Sequence, residues 1–183
     1  MFIQTEITPN PATLKFLPGN QVMASGTANF TSPEQSPQSP LALRLFEIDG
    51  VAGVFLGTDF ITVTKMDGRE WDTMKPMILS AIMDHFTSGE PVMAEGVATD
   101  AEGSTDGDDI AFQIKELLDT RVRPAVAQDG GDIIFQGFEN GVVYLHMQGS
   151  CSGCPSSTAT LKHGIENMLK YYIPEVIEVR AVD

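Results

Sequence analysis

The chain has 183 residues, room for one domain or two small ones, and 42% of them are hydrophobic, enough to build packed cores. Eleven basic against 25 acidic residues leave a formal charge of −14, which disfavours nucleic acid and anionic membrane surfaces as partners. Only two cysteines occur, Cys151 and Cys154, so a disulfide-built secreted scaffold is excluded. The longest apolar runs, Val51 to Leu56 and Met77 to Met83, fall far short of the roughly 18 residues that span a bilayer.

The charge is uneven, and this marks the expected domain boundaries. Residues 1–88 carry five basic and nine acidic groups, residues 89–109 carry seven acidic and none basic, and residues 110–183 carry six and nine. The middle stretch, GEPVMAEGVATDAEGSTDGDD, holds half the net charge and too little apolar surface to offset the entropy of ordering it. It reads as a flexible acidic linker between domains 1–88 and 110–183 rather than as an acidic binding site. A 21-residue tether would separate its ends by about 25 Å.

Residues 1–88 read as a small α+β domain. Phe2 to Ile7 and Leu14 to Leu17 are apolar runs around the turn Thr8-Pro9-Asn10-Pro11, which predicts paired strands. After a Ser/Pro/Gln-rich loop, Ser39-Pro40 supplies a helix start, followed by Leu41, Leu45 and Ile48 at helical spacing. Val51 to Leu56 and Phe60 to Val63 are the next expected strands. Trp71, Met74, Ile78, Ile82 and Phe86 then trace an amphipathic helix, with Met74, Met77 and Met83 expected in its core-facing stripe rather than on a peptide-binding surface.

Residues 110–183 predict the order α-β-β-α-β. Ile110, Ile114, Leu117, Leu118 and Val122 share a helical face until Pro124 kinks or restarts the helix. Asp129-Gly130-Gly131 is a turn, and for Asp129, Gly130, Gly131 and Asp132 together that reading is preferred over a metal or phosphate site. Ile133 and Phe135 alternate along a strand, and Asn140-Gly141 predicts a hairpin to Val143, Leu145 and Met147. Beyond GSCSGCPSS a helix carries Leu161, Ile165, Met168, Leu169 and Tyr172. Pro174 stops it, and Ile177, Val179 and Ala181 suggest a closing strand. Tyr171 and Tyr172 either pack or contact partners.

The thiols thus lie between a strand end and a helix start, where the helix dipole and free N–H groups favour thiolate. Gly149 and Gly153 let the backbone fold closely around a bound object. Such a pair could exchange disulfides, bind zinc or ligate an iron–sulfur cluster. A thioredoxin-like order would place the motif after an early parallel strand, whereas here it comes late. Zinc and cluster sites normally take four ligands, and this chain has two thiols, so a homodimer would supply the missing pair. His146 and His163 could complete a mononuclear site but read more simply as non-ligands, and His85 has less claim still.

GSCSGCPSS, with RPAVAQDGGDI before it and TLKHGIENMLKYYIPEV after it, resembles the NifU-like domain of Nfu iron–sulfur carrier proteins. MFIQTEITPNPATLKFLPG and LFEIDGVAGVFLGTDFITVTK resemble the N-terminal domain that accompanies it. The resemblance implies a non-enzymatic carrier in which Cys151 and Cys154 of two chains hold one 4Fe–4S cluster at a homodimer interface. It further implies cluster receipt from upstream assembly proteins and delivery to apo-proteins such as lipoyl synthase or aconitase. The alternatives are a thiol-disulfide oxidoreductase and a zinc-bridged structural dimer. No targeting segment is visible, which points to bacterial cytoplasm, or to the mitochondrial matrix for a eukaryotic source.

Overall fold

The computed structural model describes residues 2–24, 26–94, 109–150 and 155–182, with no side chains for 155–158. The expected tether falls largely in 95–108, outside the described residues. The rest forms two compact units, each α+β.

The first unit runs β1 (Gln4–Ile7), β2 (Thr13–Leu17), β3 (Ala28–Phe30), a 3₁₀ turn (Pro33–Gln35), α1 (Pro40–Phe46), β4 (Val51–Leu56), β5 (Ile61–Lys65) and α2 (Trp71–Ser88). Its antiparallel sheet has the order β1-β2-β5-β4-β3. The Thr8 hydroxyl donates to the Asn10 carbonyl at 2.8 Å, and the Asn10 side chain accepts from the Ala12 N–H at 3.0 Å, which fixes the β1–β2 turn. Ser39 caps α1 by accepting from the Ala42 N–H at 3.1 Å, with Pro40 suited to the first turn. The helices bury Leu41, Leu45, Met74, Ile78 and Ile82 against Phe16, Val54, Leu56, Ile61 and Val63 of the sheet. Each such side chain contributes roughly 1.5–3 kcal/mol of transfer free energy.

Two details depart from the sequence reading. β3 has no counterpart in it, because three residues are too few to show alternation. The methionines divide: Met74 is buried in the core, while Met77 and Met83 are exposed.

The second unit runs α3 (Asp109–Leu117), a π-helical turn (Leu118–Val122), α4 (Arg123–Gln128), β6 (Gly131–Glu139), β7 (Val142–Gly149), α5 (Pro155–Tyr172) and β8 (Glu178–Val182). Taking the first three helical pieces as one bent helix, this is the expected α-β-β-α-β order. Pro124 cannot donate to the preceding turn, and the helix passes through the π segment before restarting at Arg123. The two-residue hairpin turn has φ 51° at Asn140 and 80° at Gly141, the left-handed pair of a type I′ turn. β7 then pairs in parallel with β8, and α5 is the crossover that a parallel connection requires. β8 begins only after the exposed Ile177, and within it Val179 alone is fully buried, Ala181 being exposed.

Ile114, Leu118, Val126, Ile133, Val143, Leu145, Ile165 and Leu169 form the second core. It covers one face of the sheet, and five residues, 150–154, join the end of β7 to the start of α5.

Candidate functional site

Cys151 and Cys154 lie outside the described residues, so the site is built from the elements that bound their loop. On one side β7 ends at Gly149, whose φ of 64° turns the chain out of the sheet. On the other, Cys154 immediately precedes Pro155, the first residue of α5.

The incoming end is tied to the α4–β6 turn. Gly149 pairs with Gly131 in the ladder, and the Ser150 N–H donates to the Gly130 carbonyl at 3.3 Å. The Ser150 hydroxyl, on a residue only 2% exposed, donates to the Asp129 carbonyl. Asp129-Gly130-Gly131 therefore works as a turn, with Gly130 at φ 81°, and its backbone oxygens hold the residue before Cys151.

Arg123 fixes that turn from behind. Its Nε donates to one oxygen of Asp132 at 2.9 Å and its second guanidinium nitrogen to the other at 2.8 Å, a bidentate pair. A third nitrogen reaches Asp119 at 3.1 Å. The Asp132 carboxylate is almost wholly buried and also accepts from the Ile133 N–H at 2.8 Å. These hydrogen bonds hold the Arg123 guanidinium above even its ordinary basicity, so it remains a fixed cation at any physiological pH. Sequence reasoning passed over this pair. The available signal was an aspartate opening an otherwise apolar strand, which is costly unless a cation meets it.

Gln148, opposite Asp132 in the ladder, is 5% exposed, and its side-chain carbonyl oxygen has no hydrogen-bond partner among the described residues. It is a second buried polar side chain near the loop.

The three histidines sit on separate elements. His146 sits on β7 with Nδ1 3.2 Å from the Val182 carbonyl, His163 is exposed on α5, and His85 is buried in the first unit. Among the described residues no group of three or more His, Cys, Asp or Glu is placed to hold a metal. Tyr172 stacks under Arg121 at 5.1 Å, and Tyr171 meets Tyr172 edge-on at 5.0 Å while remaining 81% exposed.

A small α-β-β-α-β domain that presents a CxxC loop between strand and helix, joined to a second α+β domain, defines a modular thiol-presenting protein. The comparisons narrow this. A family model described as "Scaffold protein Nfu/NifU N terminal" matches residues 3–89, and one described as "NifU-like domain" matches residues 114–180. The "NFU1 iron-sulfur cluster scaffold homolog, mitochondrial" of Homo sapiens is 53% identical over 183 residues, covering all of this chain and 72% of the human protein. The Drosophila ananassae protein of the same name is 54% identical over 184 residues, and this chain spans 64% of its length. A solution structure of a NifU-like protein from Saccharomyces cerevisiae aligns with 52% of this chain and 86% of its own, at 28% identity and a TM-score of 0.47. The chain belongs to the Nfu/NifU scaffold-protein family.

Proposed function

We propose that the chain carries a 4Fe–4S cluster as cargo, ligated by Cys151 and Cys154 of two subunits, and passes it to apo-proteins without catalysing a reaction of its own. The observation that carries this reading is ligand arithmetic. Family membership points to an iron–sulfur cluster, a cubane takes four thiolates, and the chain contains two cysteines in a single CxxC. Two chains supply the set.

The surroundings support the chemistry. Cys154 abuts the N-terminus of an 18-residue helix, whose dipole and unpaired N–H groups favour thiolate. Ser150 and the Arg123–Asp132 pair hold the incoming end of the loop. Cargo held only by thiolates can leave by ligand replacement, one client thiolate displacing one carrier thiolate at a time. No redox change is needed. The clients are therefore apo-proteins with free cysteines, and the upstream donor is an assembly protein holding a labile cluster. The compartment follows the relatives whose names carry "mitochondrial", or bacterial cytoplasm for a prokaryotic source.

The test is anaerobic reconstitution with iron and sulfide, read by absorbance near about 400 nm and by iron and sulfide counted per dimer. Four irons per dimer are expected. A colourless protein that reduces disulfides would instead establish an oxidoreductase, and one that takes up zinc a structural dimer.

A further inference from the structure

The first unit contains no cysteine, yet its surface carries a recess. The inner faces of α1 and α2 supply the core; on the outer side, between them, lies an open groove of about 900 Å³. Its apolar wall is formed by Leu43 and Ile48 from the α1 side and by Met77 and Ala81 from α2. Leu43 and Met77 are 39% and 41% exposed. Ala81 keeps one wall low, and methionine adapts to whatever shape it meets. A smaller recess of about 270 Å³ shares Met77 and Asp49 with the groove and extends it past Arg69. A trough between two helices, apolar inside and open outside, fits a third helix laid into it.

The charges decide which helix. Two cations stand nearby, and both are already held by carboxylates: Arg44 by Glu90 at 3.2 Å and Arg69 by Asp49 at 2.6 Å. Glu47 and Asp84, exposed on opposite sides of the groove, have no ion-pair partner among the described residues. The rim is therefore net negative. A second copy of this chain, at −14, would bring like charge to it. So would the chain's own stretch 89–109, with seven acidic residues and no basic one.

We propose that this groove docks an amphipathic helix of a partner protein, with leucine-like residues on its inner face and Lys or Arg at its edges to meet Glu47 and Asp84. The site gives the cysteine-free unit a recruiting role that does not depend on the cluster reading.

The experiment uses the full-length ¹⁵N-labelled chain and two amidated helical peptides. One has leucines at helical spacing with lysine elsewhere; the other has glutamate in place of lysine. Amide shifts at residues 43–49 and 77–84 should follow the lysine peptide and not the glutamate one. The double variant Glu47→Lys/Asp84→Lys should weaken binding about tenfold at low salt. Leu43→Ser should weaken it at every salt concentration. Both substitutions are at exposed positions, and retained far-UV circular dichroism verifies the fold. Shifts confined to the acidic 95–108 stretch would overturn the proposal, as would equal binding of both peptides, unchanged affinity in both variants, or no shift at all.

Discussion

Removing the Arg123 side chain's charge should destabilise the second domain in a way that betrays the buried carboxylate behind it. In Arg123→Met the aliphatic stem is kept, but Asp132, whose side chain is only 4% exposed, loses its two guanidinium hydrogen bonds. Breaking a buried ion pair by removing one partner costs about 3–5 kcal/mol. Asp132 keeps the Ile133 N–H, and Arg123 is itself a third exposed, so the expectation lies at the lower end, about 3 kcal/mol at pH 7. The assay separates the domains spectroscopically: Trp71 is the only tryptophan and reports the first unit, while all three tyrosines, Tyr144, Tyr171 and Tyr172, report the second. Urea unfolding followed by tyrosine signal at pH 7, for the wild type, Arg123→Met and Arg123→Met/Asp132→Asn, gives the comparison. The double variant should recover much of the loss, because it removes the charge that Arg123 had met. A loss under about 0.5 kcal/mol in Arg123→Met, or no recovery in the double variant, would refute the idea that Arg123 offsets a buried charge.

Gly141→Ala should cost about 2 kcal/mol, since φ is 80° and the new Cβ would lie 2.6 Å from Ile177 Cδ1 and 3.1 Å from the Glu175 carbonyl; Gly137→Ala, with nothing within 4 Å, is the near-neutral control in the same tyrosine-detected unfolding. His85 is fully buried, and neither ring nitrogen is hydrogen-bonded among the described residues; burial first, and Arg44 second, push its folded-state pKa below 6.5. The unfolded chain then binds the proton more readily, so the first domain should lose stability as pH falls through 6.5 toward the folded value, and Trp71-detected unfolding at pH 7.5 and 5.5 should show this loss reduced in His85→Leu. Cys151→Ala should abolish both the absorbance of the reconstituted protein and cluster-dependent dimerisation in gel filtration; a stable cluster in that variant would remove the cysteine from the ligand set. Deleting residues 1–88 should leave reconstitution intact while weakening delivery to at least one client, measured as the rate of client activation.

The parts of the fold that could be read from sequence are those set by local rules. Ser39-Pro40 starts α1, Asn140-Gly141 makes the hairpin, and Pro124 breaks the first helix of the second domain, because capping, positive φ and a missing N–H act within a few residues. What escaped depends on distant neighbours. β3 is a strand only because β4 pairs with it, and Ile177 stays outside β8, tied by its N–H to the Gly141 carbonyl of the hairpin turn. Met74 and Met77 are three residues apart on α2, and only the position of α1 separates core from groove. At the site, the thiols were legible as residue types, but Asp132 reads as the end of a turn and Arg123 carries no local signal. Their pairing arises because α4 folds back over the start of β6, a tertiary fact.

On the proposed reading the protein must remain folded after giving its cargo away, and the second domain is built in a way that would meet this demand. In small metal-nucleated domains the bound ion supplies the folding free energy, and losing it unfolds the chain. Among the described residues thirteen buried hydrophobic side chains form the core around β6, β7 and α5, and each contributes roughly 1.5–3 kcal/mol of transfer free energy. The buried Arg123–Asp132 pair adds position more than stability, because such a pair does little better than apolar side chains of the same volume. It fixes the turn that grips Ser150, so the residue before Cys151 is held in place by the protein itself. If the cluster is held as proposed, binding energy between thiolates and cluster would not be consumed in ordering the domain. Affinity could then stay low enough for a client's thiolates to compete, and release would leave a folded apo-carrier ready to load again.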